Sequence, residues 1–274
     1  MKKLGKIEIK NLTVEYTEKK NKFKALDDVT FTVEDGEFVS IIGSSGCGKS
    51  TLLSILEGIN FPSSGSVTID GKPITGTGTD RGVVFQHYSL FPWMTARNNV
   101  AFGIKQAKKE LNKRERLALA DEYLDKVGLG DFADKYPNRL SGGMQQRVAI
   151  ARALAMDTDI LLMDEPFGAI DAKNRVNLQK LLMRLWEGYG KRKTVVFVTH
   201  DLDEAILLSD RIILMSPGPG RVYREIKVPF ERPRNIKELI RTNEYNIFHE
   251  ELLSLFHGEN IDEFDDDKDE VVLE

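Results

Sequence analysis

The chain has 274 residues, a length that is enough for one large domain or a core with subdomains. Of these residues, 41% are hydrophobic and 30% are charged, a composition typical of a globular protein. Residues 261–274 contain eight acids and one lysine, a charge of −7, so the rest of the chain carries +3 of the net −4. That small surplus gives no sign of a nucleic-acid partner. We expect the acidic tail to be solvated and disordered.

No apolar run approaches the ~18–20 residues that are needed to cross a bilayer. Residues 1–6 are not followed by the apolar stretch of a secretory signal. The single cysteine, Cys47, cannot form an internal disulfide, which fits a reducing compartment. We therefore expect a cytosolic protein whose membrane role, if it has one, comes through partners.

The chain opens with short segments of alternating apolar and polar residues, at 7–9, 12–16 and 29–33. This alternation predicts antiparallel strands with one face in solvent. Tyr16 ends one of these strands, ahead of the polar loop 17–22. An aromatic residue at that place either fills a surface or offers its ring for stacking.

A glycine-rich loop follows the apolar run 38–42 and precedes the helix-forming run 52–56. It fits the pattern G-x-x-x-x-G-K-[ST] with the strand before and the helix after that the pattern requires. Such a loop brings backbone N–H groups and a helix N-terminus close to phosphate oxygens. Lys49 can reach the β- and γ-phosphates, and Ser50 can supply a hydroxyl to Mg²⁺. The predicted phosphate-binding residues are Gly43, Ser44, Ser45, Gly46, Cys47, Gly48, Lys49, Ser50 and Thr51.

The next segments are a predicted hairpin over 66–74, with an Asp-Gly turn, and a buried strand over 82–86 that stops at Gln86. From about 90 to 158 the pattern is helical, with helices predicted over 111–127, 131–136 and 141–155.

Ser141 is a good N-cap for the last of these helices. The two glycines after it cost about 1 kcal/mol each in a helix interior, a cost that close approach of a ligand would offset. The start of this helix is therefore a second candidate anion site.

Two further apolar runs, 160–164 and 194–199, predict strands buried on both faces. The first ends in Asp164 and Glu165, and we expect the following proline to hold Glu165 in an extended conformation. The second ends at His200. Ligands of parallel α/β sheets bind at the carboxyl ends of strands, so these side chains and the phosphate loop should meet at one edge.

The remaining segments predict an amphipathic helix over 178–186, a helix that opens at 201–205, and a closing hairpin of 211–215 with 222–226. A helical extension is predicted over 236–256. Strands that alternate with helices in this way predict an α/β fold with a mostly parallel sheet.

Taken together, these segments resemble the ATP-binding cassette (ABC) family of transport ATPases. The sequence L-S-G-G-M-Q-Q-R at 140–147 looks like the family signature, and it lies between the phosphate loop and the acidic strand as in that family. The resemblance runs from about residue 7 to 232.

The resemblance implies a P-loop NTPase core with N-terminal antiparallel strands and an inserted helical subdomain. It divides the chain into an ABC ATPase domain over 1–232 and a helical extension with the acidic tail over 233–274. Within the ATPase domain, the RecA-like core takes 1–86 and 159–232, and the helical subdomain takes 87–158.

The resemblance also implies catalytic roles at the strand ends. Glu165 matches the general base that orients the attacking water, and His200 matches the histidine that contacts the γ-phosphate. Gln86 matches the glutamine that touches Mg²⁺ and nucleotide. Asp164 matches the Walker B aspartate, which with Ser50 and Gln86 completes the implied metal site.

The implied ATP site is shared between two copies of the chain. Tyr16 matches the aromatic residue that stacks on adenine, beside the phosphate loop of its own copy. The signature residues Ser141, Gly142 and Gly143 are implied to face the ATP of the other copy, in a head-to-tail homodimer that sandwiches two ATP molecules. Asp171 matches the aspartate of the D-loop.

The segment 86–95, Q-H-Y-S-L-F-P-W-M-T, is similar to the nitrate/sulfonate/taurine importer group. This similarity implies an importer of a small anion or a sulfonate-like solute, with integral membrane permease subunits and an extracytoplasmic solute-binding protein as partners. The protein would then lie peripherally on the cytoplasmic face of the membrane. Trp93 either packs in the chain or lies near the surface that meets a membrane subunit.

The sequence leaves other interpretations of the function open. The solute could be another small molecule, such as a vitamin precursor. A soluble ABC ATPase of DNA maintenance or translation would usually carry a long coiled coil or two cassettes, and a kinase or GTPase does not explain the signature helix. Cys47 is either a reactive thiol that ATP protects or a small filler of the loop.

Overall fold

The computed structural model describes residues 5–18, 21–168, 170–188 and 192–261, and they form two sheets with helices packed against them. The strands are β1 Ile7–Glu18, β2 Asn21–Val33, β3 Phe38–Ile42, β4 Ser64–Ile69, β5 Lys72–Pro73, β6 Arg81–Val84, β7 Ile160–Asp164, β8 Thr194–Val198, β9 Arg211–Met215 and β10 Val222–Lys227. The helices are α1 Lys49–Glu57, α2 Ala96–Ala107, α3 Lys113–Lys126, α4 Gly142–Ala155, α5 Ala172–Gly188, α6 Leu202–Leu208, α7 Ile236–Leu239 and α8 Asn243–Ile261.

The six-stranded sheet has the order β10-β9-β3-β8-β7-β6, and its strands are parallel except for β10. Its central strands β3 and β8 are buried along their whole length. Strands covered on both faces need continuous apolar runs, and the predicted α/β fold is thereby confirmed.

The second sheet has four strands in the order β2-β1-β4-β5, and it is antiparallel, as the alternation at the start of the chain predicted. Side chains of β1 alternate between buried and exposed, and its buried residues Ile7, Ile9, Leu12 and Val14 pack in one apolar cluster with residues of α1. The phosphate-loop helix therefore lies between the two sheets, which hold its position.

Helices α2, α3 and α4 form the predicted helical region. A capping box starts α3, in which Asn112 accepts from the N–H of Glu115 and the Glu115 carboxylate accepts from the N–H of Asn112. One apolar cluster joins Val100, Leu124 and Val148 of these helices to Leu161 of the parallel sheet. The helices thus share a core with the sheet, and the division at residues 86 and 159 stays a prediction.

Two helix predictions were wrong in detail. The helix predicted over 131–136 is only a 3₁₀ turn, Gly130–Phe132, and a second 3₁₀ turn, Pro137–Arg139, follows it. Tyr136 is extended, because the proline after it disfavours helical backbone. The helix predicted over 236–256 is split into α7 and α8 at Thr242, whose hydroxyl accepts from the N–H of Tyr245 at 3.2 Å.

Helix α8 packs against α6 through Tyr245 and Leu252. The acidic tail from residue 262 onward, for which disorder was predicted, lies outside the described residues. Over the part of the chain that the structure describes, no helix has the length and apolar character of a membrane span.

The hairpin between β9 and β10 closes over the phosphate loop through Gly220. The carbonyl of Gly220 accepts from the N–H of Asp27 at 2.9 Å, and the N–H of Gly220 donates to the carbonyl of Ala25 at 3.0 Å. A Cβ at Gly220 would clash with the carbonyl oxygen of Cys47. The loop, β2 and this hairpin therefore meet at a point where only glycine fits.

We expect Gly220→Ala to lower the midpoint of thermal unfolding, because the backbone of the phosphate loop must move to admit the methyl group. The destabilisation should be about 1–3 kcal/mol, as for overpacked cores. Gly218→Ala on the same hairpin is the matched control, since its Cβ would meet nothing within 4 Å. Equal midpoints for the two variants would contradict the close approach at Gly220.

A buried carboxylate, Glu57, ends α1 and is only 8% exposed. Burial raises the pKa of Glu57 to about 7, and the negative charge of Asp164 adds to the effect. The native state therefore binds a proton that the unfolded chain releases at a lower pH. The resulting stability is fully present below the ordinary carboxyl pKa and is lost as pH rises through about 7.

We expect Glu57→Gln to raise the free energy of unfolding by about 2 kcal/mol at pH 8, and by clearly less at pH 5. The measurement is urea unfolding of both proteins at the two pH values. Glu250→Gln on the exposed side of α8 is the control and should change stability little at either pH. A gain from Glu57→Gln that is the same at pH 5 and pH 8 would contradict the raised pKa.

Candidate functional site

The phosphate loop connects β3 to α1 and turns through two glycines of left-handed backbone, Gly46 at φ 85° and Gly48 at φ 89°. A Cβ at Gly48 would also clash with Leu26 of β2 and lie 2.9 Å from the carbonyl oxygen of Ala25. Among the described residues, no side chain caps the start of α1. The N–H groups of that first turn therefore remain available to an anion.

Lys49 is held inside this loop and is only 8% exposed. Its ammonium donates to the carbonyl oxygens of Gly43 at 2.7 Å and Ser44 at 2.8 Å. A positive charge is thus fixed beside the free N–H groups, which suits the binding of phosphate oxygens.

Cys47 is completely buried in the same loop, and its Sγ lies 3.6 Å from the ammonium of Lys49. A Cβ at Gly43 would lie 2.6 Å from this sulfur, so the thiol fills the interior of the loop. Rapid attack by a thiol reagent requires exposure, which the structure does not provide. Burial therefore favours the interpretation of Cys47 as a small filler over that of a reactive thiol.

A cavity of about 400 Å³ opens beside the loop. It is lined by Tyr16, Phe23, Ala25, Ser45, Gly46, Gly48, Lys49, Ser50, Thr51 and Glu165. Sequence reasoning named all of these except Phe23 and Ala25. Tyr16 and Phe23 are direct partners in the register of β1 and β2, and both rings are exposed, 40% and 56%. The predicted polar loop 17–22 did not indicate Phe23, because most of that segment continues β1 and β2 and the strand register sets which residue faces Tyr16.

The ends of β6, β7 and β8 bring three predicted catalytic side chains together. The Nε2 of Gln86 donates to Oε2 of Glu165 at 3.2 Å. The Nδ1 of His200 lies 3.2 Å from the same oxygen. These strands are neighbours in the sheet, so the meeting of their side chains at one edge is as the strand pattern predicted.

The backbone of Glu165 is left-handed, with φ 39°, so the prediction of an extended conformation was wrong. Its N–H donates to the carbonyl of Val198 on β8 at 3.0 Å, and its carbonyl accepts from the N–H of Gly168 at 3.1 Å. These two bonds outweigh the local preference of a residue before proline. A non-glycine residue held at positive φ is strained, and this strain sits where the side chain meets Gln86 and His200.

Asp164 lies half-buried at the end of β7. Burial raises the pKa of its carboxyl, the neighbouring Glu165 raises it further, and Lys49 acts in the opposite direction. A cation beside this pair of carboxylates would relieve both effects.

The predicted metal ligands Ser50, Gln86 and Asp164 offer a hydroxyl, an amide and a carboxylate oxygen, the hard donors that suit Mg²⁺. Among the described residues, no three His, Cys, Asp or Glu side chains group into a metal site. A magnesium ion here would therefore depend on phosphate oxygens for several of its ligands.

Within one chain, the signature residues lie apart from this cavity. The described lining of the cavity contains no residue of the segment 141–143. Ser141 caps α4 and accepts from the N–H of Met144 at 3.4 Å, as predicted. A Cβ at Gly142 would lie 2.7 Å from the hydroxyl of Tyr88. Asp171 caps α5, where its carboxylate accepts from the backbone and side-chain nitrogens of Asn174 at 3.1 and 2.7 Å.

The segment after Gln86 connects it to the signature helix, a link that sequence reasoning missed. Tyr88 and Ser89 both have left-handed backbone, at φ 44° and 45°. Arg152 of α4 donates to the carbonyl of Ser89 at 2.7 Å and to that of Tyr88 at 3.4 Å. The donor and acceptors are more than 60 residues apart, so no local pattern could have indicated the link.

Comparison with known proteins identifies the family. The ABC transporter family model matches residues 26–168. The chain is 49% identical over 230 residues to an uncharacterized ABC transporter ATP-binding protein, MJ0412, of Methanocaldococcus jannaschii, covering 84% of this chain and 85% of that protein.

Two relatives from Synechococcus elongatus are named for their solutes. The nitrate import ATP-binding protein NrtD is 45% identical, with 86% of this chain and 85% of that protein covered. The bicarbonate transport ATP-binding protein CmpC is 47% identical over 85% of this chain, which spans only 35% of CmpC.

Among solved structures, the dimeric post-hydrolysis state of the ATP-binding cassette MJ0796, bound to ADP and Pi, is similar to this fold. Its TM-score is 0.72 at 39% sequence identity, and the match covers 82% of this chain and 100% of that one. Because the family model spans more than half of the chain and the relatives match most of it, the chain belongs to the ATP-binding proteins of ABC transporters and is an ATPase.

Proposed function

We propose that this protein is the ATP-hydrolysing subunit of an importer for a small anion, and that it works as a head-to-tail pair. The observation that carries the proposal is the meeting of Gln86 and His200 on one carboxylate oxygen of Glu165, beside the phosphate-loop cavity. Relatives named for nitrate and bicarbonate support a small inorganic anion over an organic sulfonate or a vitamin precursor.

ATP would bind with its adenine against Tyr16 and Phe23 and its phosphates on the loop 43–51. Lys49 already lies in the loop, and it would exchange its carbonyl partners for phosphate oxygens. Mg²⁺ held by Ser50, Gln86 and Asp164 would neutralise the charge that develops on the phosphates.

Hydrolysis of ATP requires a water molecule placed in line with the γ-phosphate and a group that orients it. Glu165 lines the phosphate-loop cavity and is the candidate for this role. Its Oε2 is held by Gln86 and His200, which leaves Oε1 to accept a proton from water. His200, whose side chain is 63% exposed, can also reach a γ-phosphate oxygen of bound ATP.

The separation of the phosphate loop from Ser141, Gly142 and Gly143 supports the paired arrangement. The N–H groups at the start of α4 would complete the ATP site of a second copy, and Asp171 lies on the segment that precedes α5. The dimeric MJ0796 cassette, 39% identical to this chain, is consistent with such a pair.

Replacing Glu165 with Gln should abolish ATP hydrolysis while ATP still promotes dimerisation, because the amide keeps the shape of the site but cannot take a proton from water. Turnover should fall by about 10²-fold or more, as for loss of general-base catalysis. Size-exclusion chromatography with and without ATP measures the dimer. Lys49→Ala is the control, and it should lose both hydrolysis and ATP-dependent dimerisation. Unchanged turnover in Glu165→Gln would remove the base assignment.

The proposed partner is an integral membrane permease, which in turn works with an extracytoplasmic solute-binding protein. Trp93 is 69% exposed, and its ring packs on Phe91 at a centroid distance of 5.5 Å. A large apolar ring in solvent, rigidly backed by a second ring, is typical of a residue that anchors a protein contact. The protein would therefore bind at the cytoplasmic face of the membrane as a peripheral subunit.

We expect Trp93→Ala to lower the amount of permease that co-purifies from detergent-solubilised membranes by about tenfold, the loss expected for a hot-spot aromatic residue. Ile247→Ala on α8 is the matched control, because Ile247 is also exposed, at 57%, and lies on a different element. Recovery that is equal for both variants would place the contact elsewhere.

The same co-purification separates the importer from a soluble ABC ATPase. An importer subunit should bring down a membrane protein and bind neither ribosomes nor DNA. Recovery of ribosomes or DNA without a membrane protein would overturn the transport proposal. The ligand of the co-purifying solute-binding protein would then identify the solute.

A further inference from the structure

A buried network lies directly behind His200. Glu204 of α6 is 4% exposed. Its Oε2 accepts from the hydroxyl of Thr199 at 2.7 Å, and its Oε1 accepts from Nε2 of Gln179 at 3.2 Å. Burial raises the pKa of Glu204 to about 7. A carboxylate in this position costs stability, and its two hydrogen bonds point at the residue before His200 and at helix α5.

The same network closes the turn that carries His200. The hydroxyl of Thr199 accepts from the N–H of Asp201 at 3.1 Å while it donates to Glu204. The carboxylate of Asp201 accepts from the N–H of Glu204 at 3.1 Å. The residues on both sides of His200 are therefore fixed, although the histidine side chain itself is largely in solvent.

Arg175 of α5 extends this network to the segment that precedes α5. One of its terminal nitrogens donates to Asp201 at 3.3 Å, and the other donates to the carbonyl of Ile170 at 3.4 Å. Its Nε lies 3.9 Å from Oε1 of Glu204. Ile170 is next to Asp171, so one side chain links the proposed D-loop to the turn of His200.

We propose that Glu204 is a positioning residue for ATP hydrolysis: it anchors the Thr199–Asp201 turn and thereby aims His200 at the reaction centre, and Arg175 couples this anchor to the segment of Asp171. The inference rests on the proposed role of His200. Glu204 and Arg175 are absent from the described lining of the cavity beside the phosphate loop, but they line a small cleft behind it together with Glu165 and the turn of His200. Their hydrogen bonds to Thr199 and Asp201 provide the route through the turn.

A double-mutant cycle tests the inference, with kcat and KM for ATP measured for Glu204→Ala, His200→Ala and the double variant. Glu204→Ala should lower kcat by about tenfold and change KM by less than about threefold, because the binding groups of the loop are untouched. In the His200→Ala background, Glu204→Ala should cost less than about twofold, because its effect passes through the missing histidine.

Two further variants keep the test specific. Glu204→Gln retains an oxygen that can accept from Thr199. Its kcat should therefore lie within about threefold of that of the unmodified protein. Thr199→Val removes the hydroxyl without changing the size of the side chain, so it replaces Glu204→Ala if that variant does not fold.

Thr158→Val is the control for a purely structural loss. Thr158 is also buried, and its hydroxyl donates to the carbonyl of Ile160 at 2.8 Å, at the opposite end of β7 from the site. Its effect on kcat should be small and should multiply with that of His200→Ala.

The possible failures can be told apart. Losses from Glu204→Ala and His200→Ala that simply multiply would overturn the positioning role and leave the proposed function intact. Normal kcat in His200→Ala would overturn both the positioning role and the proposed part of His200 in hydrolysis.

Discussion

The parallel pairing of β6, β7, β8 and β3 is the constraint on which the rest of the structure depends. Parallel neighbours end at the same edge, so Gln86, Glu165, His200 and the phosphate loop come together although they are far apart in the chain. The inner strands β3, β7 and β8 are almost wholly apolar, because both of their faces are covered. The burial of the sheet and the position of the site thus have one physical cause.

Buried negative charge at the site lowers the stability of the folded chain. Asp164 and Glu204 are both at least partly buried there, and burial raises the pKa of each. The left-handed backbone of Glu165 adds strain at the same edge. A cation bound beside these carboxylates would offset part of the cost of their charge, so stability and the binding of ATP with its metal ion are expected to be coupled.

Two arginines connect parts of the site that lie on different elements. Arg152 ties the segment after Gln86 to the signature helix, and Arg175 ties the turn of His200 to the segment before α5. In the proposed pair of chains, each of these arginines would join a group that faces its own ATP to a group that faces the partner's. Closure of the pair and the arrangement of the catalytic side chains would then change together.

The sequence by itself determined the phosphate loop, the acidic strand end, His200, the N-cap at Ser141 and the α/β class. These features are local: a motif, an apolar run or a cap is complete within about ten residues. Tertiary structure decided the rest, including Phe23 opposite Tyr16, the left-handed backbone of Glu165 and the two arginine links. The physical reason is that each of these depends on strand register or on hydrogen bonds between distant elements, such as Arg175 and Asp201, 26 residues apart. Local patterns carry no information about such pairings.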